Sequence, residues 1–268
     1  MTASKYLRGA ALASLFLAFC AGCVAQTQTA PFEPTVGQQG KDVVWVPTPQ
    51  ALVDKMLDMA KLTPRDYLID LGSGDGRTVI TAAKRGSRAL GIEYNPKMVE
   101  LSKYNAAREG VSDKASFTQA DLFKSDFSRA NVITMFLLPD INIKLRPKIL
   151  DLAPGTRVVS NSFTMGEWTA DETATVGEGC SSWCTAYLWI VPAKVEGTWK
   201  LSDGELQLKQ EFQMLSGSLQ TSGRTVSVDN GKVRGDEIVF TAGGVEYRGK
   251  VKGKQIQGSD WSATRVGA

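Results

Sequence analysis

Residues 67–76 read YLIDLGSGDG, and Glu93 closes a later run, GIEYN. An apolar run, Tyr67-Leu68-Ile69, ends in Asp70 and leads into glycines at 72, 74 and 76. A helix-compatible stretch follows from Arg77 to Arg85, then a second apolar run from Ala89 to Ile92 that ends in the acid Glu93. Strand, glycine loop, helix, strand and acid make the front half of a nucleotide-type βαβ unit. Such a unit commits the chain to a parallel sheet with helices packed on its faces. The glycines allow positive φ and a close approach of backbone to ligand. An acid at the end of the second strand can accept hydrogen bonds from both hydroxyls of a ribose.

The spacing narrows the ligand. A dinucleotide fingerprint is G-x-G-x-x-G, its third glycine packing helix against strand. Here the pattern is G-x-G-x-G and position 77 is Arg. Asp70 stands just before the loop, where it would repel a pyrophosphate and attract a cationic ammonium. S-adenosylmethionine combines an amino acid end, a sulfonium and a ribose. The reading is a methyl donor held by Asp70, Gly72, Ser73, Gly74, Gly76 and Glu93. The plainer alternative is a glycine-rich turn in an unrelated α/β fold.

Composition excludes other chemistries. The 268 residues contain no histidine, which removes a Ser-His-Asp triad, a Cys-His dyad and a Cys/His zinc site. No metal site is expected. Methyl transfer to an amine runs without imidazole, because in-line displacement needs only a neutral nucleophile, positioning and desolvation. A net charge of +3 gives no argument for nucleic acid. With 43% hydrophobic residues the chain can fill one full core and a second, smaller one.

Residues 41–191 resemble a class I methyltransferase and, within that class, a family of protein lysine methyltransferases. Its eukaryotic members are mitochondrial and modify the ATP synthase c subunit or the adenine nucleotide translocase. The resemblance rests on VPTPQALVDKML (46–57), LIDLGSGDGRTVITAAKRG (68–86), GIEYNPKMVELSKYNAAREG (91–110), FTQADLFKSDFS (117–128) and RVVSNSF (157–163). It implies S-adenosylmethionine as cofactor and a protein lysine as acceptor. It also implies that Asp121 accepts from the adenine amine with Leu122 beside the ring; the alternative is a turn-capping Asp. In this class the end of the fourth strand, Val132 to Leu138, faces the transferred methyl. Many amino methyltransferases carry Asp/Asn-Pro-Pro-Tyr there, whereas this chain has Leu137-Leu138-Pro139-Asp140. Asp140 is the catalytic candidate, as a carboxylate for the substrate ammonium, with Asn142 nearby; a helix-capping Asp is the competing reading. Val43 to Thr48 should lie across the cofactor, with Thr48 at the mouth and Trp45 either lining it or simply packing.

The coarse element pattern is regular. Pro49 to Ala60 is an amphipathic helix, and Pro96 opens another that ends near Gly110. Ile141 to Leu152 reads as a helix kinked or broken at Pro147. Arg157 to Phe163 and Thr185 to Val191 complete the sheet, and Gly166-Glu167-Trp168 should border a substrate entrance.

The ends of the chain differ in texture. Lys5 and Arg8 precede an apolar run from Ala10 to Ala21, the layout of a secretory signal. Cys20-Ala21-Gly22-Cys23 resembles a lipoprotein box, with cleavage after Ala25 as the alternative. This predicts export, to a periplasmic or membrane-anchored location, in tension with a donor made in the cytosol. Cys180 and Cys184 could then close a disulfide; two free thiols is the alternative. From about Val195 short alternating segments are punctuated by Asp-Gly, Ser-Gly, Asn-Gly and Gly-Gly, all hairpin signals. The expected architecture is α/β: a Rossmann-like class I methyltransferase sheet with helices on both faces (41–193), then a small antiparallel β meander (194–268). A signal (1–25) and a polar linker (26–40) precede them. The meander reads as a sandwich or open barrel of six or seven strands. Two other functions fit the same sequence: methylation of a small molecule, or a non-catalytic envelope binding protein on a methyltransferase-like scaffold. Oligomeric state is not encoded in any of these features.

Overall fold

The structure, a computed structural model, describes residues 32–267. The targeting expectations on residues 1–25 lie outside the described residues, as does part of the 26–40 linker. Helix α1 (Gln50–Met59) precedes β1 (Tyr67–Leu71), α2 (Arg77–Lys84), β2 (Arg88–Glu93), α3 (Pro96–Arg108) and β3 (Ala115–Gln119). Then come β4 (Val132–Met135), α4 (Pro139–Leu150), β5 (Arg157–Asn161), β6 (Glu172–Thr175) and β7 (Thr185–Ile190). They form one sheet in the order β3-β2-β1-β4-β5-β7-β6. Strands β1 to β5 run parallel, and β7 is antiparallel to both of its neighbours. Strand order reverses between β1 and β4. In open α/β sheets that switch point leaves a crevice beyond the carboxyl ends of the strands.

The sequence explains these elements locally. The residues of β4 are all buried, as a central parallel strand covered on both faces demands. Asn95 caps α3 by accepting from the Lys97 amide, and Pro96 occupies its first turn. The face of α1 that carries Leu52, Val53, Met56 and Leu57 is buried against one side of the sheet. A second core, with Ile69, Ile133, Leu145, Trp168 and Trp189, fills the other side.

Two expectations change here. Helix α4 starts earlier, at Pro139, and continues through Pro147 without a break. Pro147 removes the donor to the Ile143 carbonyl, and Ile143 is exposed, so solvent can replace that bond. Strand β6 went unrecognised because Glu172-Thr173-Ala174-Thr175 is a polar, mostly exposed edge with no apolar alternation to read.

The second half is a closed eight-stranded barrel rather than a sandwich or open barrel of six or seven strands. Its strands are β8 (Gly197–Lys200), β9 (Gly204–Glu211), β10 (Met214–Thr221), β11 (Arg224–Arg234), β12 (Glu237–Ala242), β13 (Val245–Lys252), β14 (Gln255–Gly258) and β15 (Ser262–Arg265). The order is β10-β11-β12-β13-β14-β15-β8-β9, and β9 pairs back onto β10. Asn230-Gly231, read as a hairpin signal, is instead a bulge inside the long strand β11. Asn230 takes φ 51° and the register slips between Asp229 and Lys232. Gly231 packs so closely that an added Cβ would lie 2.6 Å from the Cβ of Leu215. The barrel is filled by Trp199, Leu206, Leu219 and Phe240. Tyr247 stacks on Phe240 at 4.9 Å and Trp261 meets both edge-on. Apolar inside and polar outside, it is the reverse of a membrane-spanning barrel.

Barrel and sheet share an interface. Phe212 stacks on Trp168 at 6.1 Å under the guanidinium of Arg146. Lys232 reaches the buried Asp171 at 3.0 Å, Arg234 pairs with Glu172 at 2.9 Å, and the Ala193 amide donates to the Gly235 carbonyl at 2.8 Å. Gly235 sits against Gly155, just before β5. The barrel therefore docks at the amino end of β5, away from the crevice.

Candidate active site

A cavity of ≈ 390 Å³ opens beyond the carboxyl ends of β1 and β4, within the size range of small-molecule sites. Among the described residues its walls come from residues 38–183, and no barrel residue contributes. Asp70 lies at one end, only 6% exposed, and accepts from Thr134 Oγ1 at 2.6 Å. Burial pushes its carboxyl up to about 7; the Thr134 bond opposes the shift, and the nearby carboxylates of Asp75 and Glu93 reinforce it. A protonated or ionised Asp70 is thus decided by whatever charge is brought against it.

The glycine loop turns as its spacing requires. Gly72, Gly74 and Gly76 take φ of 77°, 55° and 84°. The amides of Gly72 and Ser73 donate to the Ile92 carbonyl. Glu93 accepts from the Gly74 amide at 3.0 Å and from the Asn95 amide at 2.8 Å, so it latches the loop to the end of β2. A Cβ at Gly76 would meet Phe117 at 2.8 Å and Ser102 at 2.9 Å. The close packing that dinucleotide folds assign to a glycine one residue later is met here at 76. Arg77, freed from that duty, pairs with Asp75 at 2.6 Å and donates to the Thr48 carbonyl at 3.0 Å. Ser73 Oγ is buried without a hydrogen-bond partner on the cavity wall.

Residues 38–48 cross over the loop as a strap. Trp45 lines the cavity and covers Gly74 so tightly that an added Cβ would lie 2.7 Å from its Nε1. Lys41 pairs with Asp121 at 2.9 Å and lies over the Tyr94 ring at 4.6 Å. That hydrogen bond holds the Asp121 carboxyl below its ordinary value. Asp121 also accepts from the Phe123 amide at 2.9 Å, so the turn-capping geometry and the cavity position occur in one residue. Leu122 lines the cavity. Thr48 is buried and its Oγ1 accepts from Asn161 Nδ2 at 3.2 Å, a contact with the end of β5 that sequence reasoning missed.

The structure brings Thr48, Asp70, Gly72, Ser73, Gly74, Glu93, Asp121 and Leu122 onto one cavity, with Gly76 directly behind. Three expectations are corrected. Asp140 is exposed in the first turn of α4 and is not on the cavity wall. As a first-turn acid it complements the helix dipole. Asn142 is fully buried and donates to the carbonyls of Phe163 and Thr164 at 3.3 and 3.2 Å, a structural tie. Trp168 is 0% exposed beneath the barrel, so it borders no entrance.

Beyond β4 the wall is apolar: Met135, Phe136, Leu137, Leu138, Ile141 and Phe163. Trp183 completes it, from a turn closed by the Cys180–Cys184 disulfide. A lone Trp bracketed by two cysteines was the sequence signal for it; nothing in the sequence placed that turn against β4.

Known proteins resemble the first half of the chain. The family described as "ANTKMT methyltransferase domain" matches residues 70–172. A "Protein-lysine N-methyltransferase" of Saccharolobus islandicus is 41% identical over 152 residues, 56% of this chain and 94% of the relative. A lysine N-methyltransferase of Rattus norvegicus, named for the c subunit of ATP synthase, is 39% identical over 150 residues. That match covers 56% of this chain and 62% of the rat protein. A solved structure from Salinibacter ruber, described as an RNA methyltransferase in complex with S-adenosyl-L-homocysteine, is 45% identical with a TM-score of 0.53. It aligns with 56% of this chain and 96% of the Salinibacter chain.

Proposed function

The chain belongs to the family of protein-lysine N-methyltransferases, and from that premise we propose that it moves a methyl group from S-adenosylmethionine to a lysine side chain of a protein. The observation that carries the reading is the divided cavity, charged and loop-lined beside β1, apolar beyond β4. Bound there, S-adenosylmethionine supplies a methyl activated by its sulfonium. Asp70 would receive the donor's ammonium, Glu93 its ribose hydroxyls, and Asp121 its adenine amine beside Leu122. The glycine loop and Ser73 offer close backbone and a hydroxyl, and Thr48 anchors the strap over the loop.

The acceptor amine must arrive neutral. An apolar wall disfavours the charged ammonium and lowers its pKa, so the proton leaves to solvent before the amine enters. No carboxylate lines that wall, and no histidine exists in the chain to serve as base. Positioning and desolvation then carry the step. The same wall argues for lysine over a nucleobase. A flipped base is read by hydrogen bonds to its edge, and Trp183 Nε1 is the one side-chain donor among these residues.

Export to an envelope compartment remains part of the proposal. The Cys180–Cys184 disulfide supports it, because such bonds persist in oxidising compartments. Fractionation that found the chain wholly in the cytosol would remove this part alone. The test of function is calorimetric titration of the full chain with S-adenosylmethionine and S-adenosylhomocysteine, followed by transfer of labelled methyl to protein and RNA fractions. Micromolar donor binding with label recovered as methyllysine is expected. Absence of donor binding by folded protein sinks the enzyme reading in favour of an envelope binding protein. Label found only in RNA or small molecules replaces the acceptor.

A further inference from the structure

Three aromatic rings meet at the mouth of the cavity. Phe136 and Phe163 lie 6.1 Å apart, Phe136 and Trp183 6.0 Å, and Phe163 and Trp183 5.3 Å. They come from three places: the end of β4, the loop after β5, and the turn before β7. All three line the cavity, beside Leu138 and Ile141. Trp183 is 46% exposed and takes φ 58°. A bulky residue at positive φ is an outlier, held where surrounding structure over-determines it. Here the restraint is visible, because Cys180 and Cys184 are bonded on either side of it.

An exposed Trp held in an unfavoured backbone conformation is poorly explained by core packing. It is well explained by a ligand that needs its face. Aromatic faces attract cations within about 6 Å of the ring centroid. We propose that Phe136, Phe163 and Trp183 form the acceptor subsite, an aromatic wall that receives the neutral lysine nitrogen and stabilises the positive charge it gains on methylation. The Cys180–Cys184 turn is the device that positions Trp183. This rests on the methyltransferase reading above. The aliphatic stem of lysine suits Leu138 and Ile141, and the rings face its nitrogen. In transfer the neutral nitrogen forms a bond to the methyl carbon as the carbon–sulfur bond breaks. The sulfonium's positive charge thus passes to nitrogen, and the rings stabilise it there.

The test uses the full chain saturated with S-adenosylhomocysteine. It is titrated with Nα-acetyl-trimethyllysine methylamide, with the uncharged analogue in which carbon replaces the quaternary nitrogen, and with adenosine monophosphate. The cation should bind about tenfold or more tightly than its neutral analogue. Trp183→Ala should abolish that preference and Trp183→Phe should keep most of it. The double variant Cys180→Ser/Cys184→Ser, or reduction by dithiothreitol (which leaves as its own cyclic disulfide), should weaken cation binding several-fold. S-adenosylhomocysteine affinity should stay unchanged in every case. Equal affinity for the two analogues, no binding of either, or an undiminished preference in Trp183→Ala overturns the subsite. Tighter binding of adenosine monophosphate reassigns the wall to base stacking and overturns it too. A double cysteine variant that binds like the parent overturns the role of the disulfide. Failure of the parent to bind S-adenosylhomocysteine strikes the methyltransferase reading instead.

Discussion

Replacing Asp70 by Asn separates what the carboxylate costs the fold from what it gives the ligand. Its pKa rises from 3.8 to about 7 in the folded chain, chiefly through burial. A raised carboxyl binds its proton more tightly folded than unfolded, so stability is fullest below the unfolded value and is lost as pH climbs to about 7. That rise corresponds to roughly 4 kcal/mol. Asn keeps an oxygen for the Thr134 hydroxyl but brings an NH₂ that must find a partner, at about 1–2 kcal/mol. The net gain for the unliganded variant at pH 8 is then about 2 kcal/mol, or roughly 4–8 °C in melting temperature. The assay is thermal melting of parent and Asp70→Asn between pH 4.5 and 8.5, with and without S-adenosylhomocysteine. The gap should widen up to about pH 7 and level off above it. Ligand at about a hundred times its dissociation constant should stabilise the parent by roughly 2.7 kcal/mol and the variant hardly at all. Parent affinity should weaken up to about tenfold per pH unit below about 7, because the donor's ammonium needs the ionised form. Parallel melting curves would refute the buried-charge argument; undiminished ligand stabilisation of the variant would refute the assignment of Asp70 to the ammonium.

Other perturbations probe neighbouring parts. Glu93→Gln leaves one oxygen for two backbone amides and removes the charge; donor affinity should fall about tenfold to a hundredfold by calorimetry. Gly74→Ala places a methyl against Trp45 at a residue with φ 55°. The strap must lift, so limited proteolysis should cut within residues 38–48 and donor binding should be lost while the barrel stays folded. Phe212→Ala removes the ring between Trp168 and Arg146 and should cost about 2 kcal/mol. Donor affinity should be unchanged, since no barrel residue lines the cavity.

The donor half of the site was legible because backbone requirements wrote it into local sequence. Positive φ at 72, 74 and 76 demands glycine, and the end of β2 offers an acid at a fixed offset from the loop. Such constraints act over about 25 residues and survive as a pattern. The acceptor half was not legible, because its pieces are adjacent only in space. Phe136, Phe163 and Trp183 are separated by 20 residues or more, and each reads alone as core. Asp140 drew attention as the only acid near the end of β4, yet helix α4 begins at Pro139 and turns it outward. The barrel was legible as strands but not as a closed ring. Closure depends on β15 pairing with β8 and β9 with β10, long-range contacts that alternation cannot encode.

This division bears on why relatives of similar identity carry different names. The Saccharolobus relative is named for protein lysine and the Salinibacter structure for RNA, yet each aligns with 56% of this chain. Identity over that stretch reports the donor, which lysine and nucleobase methylation have in common. On the proposed reading the acceptor is chosen beyond β4, by what the loops after β4, β5 and β6 bring to the mouth. In this chain those loops bring three rings, no carboxylate and a disulfide-closed turn. An aliphatic stem ending in a neutral amine, which turns cationic only on methylation, suits the rings and needs no carboxylate. A base edge would leave its donors and acceptors facing Leu138 and Ile141, at a cost of about 1–3 kcal/mol for each group left unpaired.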